Sequence, residues 1–127
     1  MPNGKLVPVK TRHPLKKDRY YIDKSGKVFW KTVGGEFRRM KHFVTKDGYH
    51  EYVLALDTGK KVHVQGQHLS IATFKGYPKD TRKNQVNHKN GIRHDNRPSN
   101  LVWMTPSQNI KHSFSELGKK VWNSNKE

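Results

Sequence analysis

VNHKNGIRHDNRPSNLVWMTPSQNIKHS, residues 86–113, reads as strand, turn, polar loop, strand and capped helix. Val86 leads into Lys89-Asn90-Gly91, and Asn-Gly favours a tight turn because both residues tolerate the left-handed backbone. Leu101 to Met104 is a second short apolar run. Directly after it, Thr105 stands at an N-cap position, Pro106 at the first helical position and Gln108 at N3, a full helix-start signature. Ile110, Phe114, Leu117 and Val121 follow at intervals of four, three and four. That spacing predicts a helix from 106 to about 121 with one apolar stripe, its last turn weakened by Gly118.

Upstream, Gln67 to Phe74 lacks strand alternation and has Leu69, Ala72 and Ile71, Phe74 at helical spacing, so one or two helical turns are expected. Gly76-Tyr77-Pro78 ends it, and Lys79 to Gln85 is a polar, basic connector. From Tyr20 to Val64 the chain is a series of short runs: Tyr20–Ile22, Val28–Trp30, Phe37–Val44, Tyr49–Leu56 and Lys61–Val64, separated by Gly-containing turn signals. Such runs, rich in Tyr, Val and Phe, read as antiparallel strands joined by tight turns. Trp30, Phe37, Phe43 and Tyr49 are expected to form a small core, and Trp103 to pack rather than stack on bases. The fold class is α+β: a small N-terminal antiparallel sheet, then a hairpin and a C-terminal helix. The expected organisation is a basic arm over 1–19, which has no apolar periodicity, a sheet module over 20–66 and the hairpin-and-helix module over 67–127.

The 127 residues include 26 Lys and Arg against 10 Asp and Glu, a formal charge of +16. Residues 1–46 alone hold 13 of those bases against Asp18, Asp23 and Glu36, a local charge of +10. Charge of one sign on that scale repels itself, and a polyanion, nucleic acid first, is the natural partner. Only 31% of residues are apolar, so the core must be small and one domain is the expected size. No apolar stretch is long enough to span a membrane and Met1 to Lys10 has no secretory h-region, so a soluble, intracellular, cytoplasmic protein is expected. The absence of cysteine removes disulfides, thiol nucleophiles and Cys-based zinc sites. An all-His zinc site from His63, His68, His94 and His112 is disfavoured, since structural zinc sites of this size rely on Cys pairs.

Asn87-His88, the Asn90-Gly91 turn, Asn96, Asn100-Leu101-x-Trp103, Thr105-Pro106 and Asn109 with His112 together resemble the HNH endonucleases, in particular their phage and intron-encoded homing branch. The likeness covers residues 60–114, including Val62 to Phe74. It implies a ββα-metal fold and a metal-dependent DNA endonuclease that hydrolyses phosphodiester bonds, nicking one strand per monomer in a phage-infected cell. It implies Mg²⁺ or Mn²⁺ as cofactor, double-stranded DNA as partner, and a monomer or weak dimer. By the resemblance His88 activates water, Asn100 holds the His88 loop, and Asn87 and Asn109 bind the metal. The chemistry is consistent: a neutral imidazole accepts a proton at cellular pH, and amide oxygens are hard ligands. Many relatives have Asp where this chain has Asn87, so both expected ligands are neutral. DNA contacts are expected from Arg12, Lys16, Lys17, Arg38, Arg39, Lys41, Lys89, Arg93, Arg97, Lys111 and His112. The rival reading is a non-catalytic nucleic-acid-binding protein on the same scaffold.

Overall fold

The structure is a computed structural model that describes residues 4–112. Strands β1 (Val7–Pro8), β2 (Tyr20–Ile22), β3 (Val28–Lys31) and β4 (Phe37–Arg39) form one antiparallel sheet in that order. β5 (Phe43–Val44), β6 (His50–Ala55) and β7 (Lys61–Gln65) form a second, and β7 runs directly into helix α1 (Gly66–Phe74). β8 (Gln85–His88) and β9 (Leu101–Met104) make a two-stranded hairpin, with a 3-10 turn at Pro98–Asn100 and helix α2 (Pro106–His112) after it. The architecture is α+β, as expected.

One core joins the first two sheets. Ile22 and Val28 from the first meet Tyr52, Leu54 and Val64 from the second and Leu69 from α1. Each such large aliphatic side chain, fully buried, contributes about 1.5–3 kcal/mol. The Ala55 N–H donates to the Tyr20 hydroxyl at 2.7 Å, tying the sheets together. α1 packs on β6 and β7 and also on β8, β9 and the 3-10 turn, so it carries the hairpin on the sheet core. Lys75 Nζ donates to the Leu101 carbonyl at 2.8 Å and Trp103 Nε1 to the Gly76 carbonyl at 2.8 Å, which fixes β9 against the end of the helix.

Three expectations change. Residues 7–19 are not a free arm: Val7, Val9 and Leu15 pack on the core, β1 pairs with β2, and the Lys16 N–H donates to Ala55 O at 3.0 Å. Val7 and Val9 are two apart and share one strand face, a stretch too short to register as a pattern. The Phe37–Val44 run divides between sheets, because Met40 N–H continues the ladder onto Val28 O and the chain then leaves for β5. The expected small core is therefore not formed: Phe37 is 42% and Phe43 60% exposed, with Phe37 set edge-on to the Tyr21 ring. Trp30 instead packs on the shared core. Ile110, first of the expected helical stripe, is exposed, and Phe114, Leu117, Gly118 and Val121 lie outside the described residues. Among the described residues no helix is long and apolar enough to cross a membrane.

Candidate active site

Asn87 and His88 end β8, opposite Val102 and Leu101, and both are buried. The turn that follows is closed by Gly91 N–H to His88 O at 2.9 Å, with Gly91 at φ +76°, a conformation that glycine adopts without strain. Asn100 then holds the loop from inside. Its Oδ1 accepts from Asn90 N–H at 3.1 Å, its Nδ2 donates to Asn90 Oδ1 at 3.0 Å and to Asp95 O at 2.9 Å, and its carbonyl accepts from Lys89 N–H at 2.8 Å. Arg97 forks onto Asp95 through Nε at 2.8 Å and Nη2 at 2.7 Å, which holds the Asp95 carboxyl well below the usual carboxylate range; Asn90 adds to the effect and burial opposes it. The polar loop between the strands is thus given a defined shape by its own side chains.

His88 Nε2 lies 2.9 Å from Asn96 Oδ1, and Asn96 is itself buried. The Tyr49 ring covers the imidazole at 5.9 Å between centroids, and the Arg93 guanidinium sits 5.3 Å from the centre of the Tyr49 ring. Burial pushes the imidazole pKa down, opposed by the Asn96 hydrogen bond and by Asp95. The ring is therefore neutral at cellular pH and able to accept a proton.

Two other histidines are also held neutral. His68 is pushed down by burial first and then by His13 and Arg12. His50, stacked between His42 at 3.8 Å and His94 at 5.6 Å, is pushed down by burial, then by His42, His94 and Arg39. A histidine held below its unfolded value of ~6.5 binds fewer protons folded than unfolded, so its stability contribution is full above that pH and falls below it. The melting temperature is expected to be flat between about pH 8 and 7 and to decline from about pH 6.5 downward. Circular-dichroism melts check this, and a melting temperature that rises on acidification would contradict it.

Asn109 stands in the first turn of α2, whose start is a reciprocal capping box: Gln108 N–H donates to Thr105 Oγ1 at 3.1 Å and Thr105 N–H to Gln108 Oε1 at 3.0 Å. Asn109 Nδ2 donates to Gln85 Oε1 at 3.0 Å. Gln85 and Asn87 are two apart on β8 and share a face, so the helix brings Asn109 to the side of the hairpin that carries Asn87. Asn87 Nδ2 is buried and has no hydrogen-bond partner among the described residues. Turning that amide about its last bond puts its oxygen in the same place, with no competing donor, which suits a hard cation. Among the described residues no cluster of three His, Cys, Asp or Glu side chains is placed to hold a metal, so amide oxygens are the donors to consider.

The family described as HNH endonuclease matches residues 73–111, the span from the end of α1 through the hairpin to α2. DNA endonuclease I-HmuI of Bacillus phage SP01 is 28% identical over 96 residues, covering 76% of this chain and 52% of that protein. The structure of DNA binding and cleavage by the HNH homing endonuclease I-HmuI superimposes with a TM-score of 0.67 at 28% identity, over 88% of this chain and 59% of that one. Residues 73–111 of this chain are thus similar to the HNH endonucleases, and the likeness in structure extends over most of the described fold. An HNH endonuclease of Acanthamoeba polyphaga mimivirus is 41% identical over 54 residues, 42% of this chain and 13% of that one. The chain spans little more than half the length of I-HmuI.

The hairpin, its loop and α2 bring His88, Asn96 and Asn100 into one buried loop base and set Asn109 beside β8. Asn96 is one of the residues that carry the family resemblance in the sequence, but that resemblance gives it no chemical role. The cationic side chains of Arg12, Lys16, Lys17, Arg38, Arg39, Lys41, Lys89, Arg93, Arg97 and Lys111 are all exposed, and the side chain of His112 lies outside the described set. Four of them are already engaged among the described residues: Arg97 with Asp95, Arg38 with Glu36 at 3.7 Å, Arg93 with the Asp47 carbonyl, and Arg12, whose guanidinium lies 4.0 Å over the Tyr77 ring.

Proposed function

We propose that this chain is a divalent-metal-dependent DNA endonuclease of the HNH homing type that hydrolyses phosphodiester bonds, nicking one strand per monomer in the cytoplasm of a phage-infected cell. The observation that carries this is His88: a buried, neutral imidazole with one ring nitrogen held by Asn96, at the end of the HNH hairpin. Its other nitrogen takes the proton of the attacking water. Asn87 and Asn109 would hold Mg²⁺ or Mn²⁺ through their amide oxygens. Such a cation, when bound, stabilises charge on the phosphate and leaving oxygens. Because both ligands are neutral, the scissile phosphate must contribute the negative charge, so affinity for metal is low until DNA is bound. Asn100 keeps the loop in shape.

The partner is duplex DNA, met by residues 1–19 and 20–66 as positioning surfaces and cut by residues 67–127, with the chain a monomer or weak dimer. Lys16 and Lys17 are exposed beside the second sheet. Replacing both with Gln is expected to lower the log–log salt slope of DNA affinity by ~0.9 for each phosphate that they neutralise. A slope that does not move would remove this stretch from the interface.

The two neutral ligands also fit a second reading, a DNA- or RNA-binding protein without catalysis. Incubating a duplex library with the chain and Mg²⁺, then sequencing all new ends, separates the two. Recurrent strand-specific ends are expected; a gel shift without new ends favours the second reading.

A further inference from the structure

A neutral imidazole can accept a proton on only one nitrogen, so a general base must be fixed in one tautomer. We propose that Asn96 is the positioning residue that keeps the proton of His88 on Nε2 and thereby makes Nδ1 the nitrogen that accepts from water. The catalytic consequence rests on the endonuclease reading above; the tautomer itself does not. The Asn96 amide oxygen faces Nε2 at 2.9 Å, and since an amide oxygen only accepts, this orientation puts the hydrogen on Nε2 and leaves Nδ1 bare.

Asn96 is held there by two glycines from distant elements. At Gly26, in the turn between β2 and β3, an added Cβ would come 2.5 Å from the Asn96 carbonyl oxygen and 2.9 Å from its Cβ. At Gly66, the first residue of α1, an added Cβ would come 2.6 Å from Asn96 Nδ2 and 3.3 Å from the Tyr52 ring. The side chain therefore sits in a slot that exists because both positions lack a Cβ. Asn100 cannot take this role, since its amide oxygen and nitrogen are already bonded to Asn90 and Asp95. The slot also links the proton position on His88 to the N-terminal sheet, which supplies Gly26.

The test is ring ¹⁵N NMR of the full chain at neutral pH, with single-turnover cleavage and DNA affinity measured alongside. Wild type is expected to carry the His88 proton on Nε2. Asn96→Leu, which offers no acceptor, is expected to spread His88 over both tautomers and to lower the single-turnover rate by roughly 10–100-fold with DNA affinity unchanged. Gly66→Ala keeps Asn96 and suits a helix, but its Cβ displaces the amide, and the same two changes are expected; it decides the matter if Asn96→Leu does not fold. A wild-type ring protonated on Nδ1, or a variant ring that stays wholly Nε2–H, would overturn the proposal. If wild type cuts no DNA, the endonuclease reading falls while the NMR result still decides whether Asn96 sets the tautomer.

Discussion

His88→Ala lowers the single-turnover cleavage rate by ~10²–10⁴ and leaves DNA affinity nearly unchanged, the signature of a missing general base rather than of weakened binding. The imidazole is buried against Asn96 and Tyr49, whereas the candidate phosphate-binding groups are exposed Lys and Arg side chains, so the two functions are spatially separable. Alanine leaves a void at the hairpin end, and a thermal melt records that cost independently of the rate. His88→Gln keeps polarity without a usable base and should be as inactive. A cleavage rate close to wild type in either variant would remove His88 from the mechanism.

The second large effect is at Asn87. Its Nδ2 is a buried donor without a partner among the described residues, so Asn87→Leu, similar in size, removes an unsatisfied group and leaves the fold intact. Cleavage is nevertheless expected to be abolished, because the β8 oxygen for the cation is gone. Asn87→Asp has the opposite character: a buried carboxylate without a counter-charge costs stability, and a divalent cation offsets that cost. That variant is expected to melt lower than wild type in chelator, to gain stability as Mg²⁺ is added, and to bind Mg²⁺ without DNA more tightly than wild type. Calorimetric titrations of free protein, set beside cleavage rates, read both effects. Should Leu at this position still cut, or Asp leave metal affinity unchanged, Asn87 is not a ligand.

What was legible in the sequence was local. Thr105, Pro106 and Gln108 announce a helix start because a cap is made by residues three apart, and the capping box is present in both directions. Asn90-Gly91 announces its turn for the same reason. The strands β6 and β9 are long enough to show a bounded apolar run, and β8 is placed by the turn that follows it. What stayed hidden depends on contacts across the chain. β1 is two residues long and exists because Val7 and Val9 find the core, which no window around them reveals. The run from Phe37 to Val44 looked continuous because propensity does not report that Met40 is claimed by β3. Within the site, the residues of the motif were readable in order, but the partner of His88 was not. Asn96 acquires that position from Gly26 and Gly66, and their closeness is a product of the sheet and α1 folding together.

Supercoiled plasmid, incubated with the purified chain and Mg²⁺ and resolved on a gel with and without chelator, tests the central claim most directly. Wild type is expected to convert it to nicked circles, to lose all nicking with chelator, and to differ from His88→Ala, which at equal bound protein leaves the plasmid supercoiled. Nicking that survives chelation or the loss of His88, or plasmid that is bound and never cut, would contradict it.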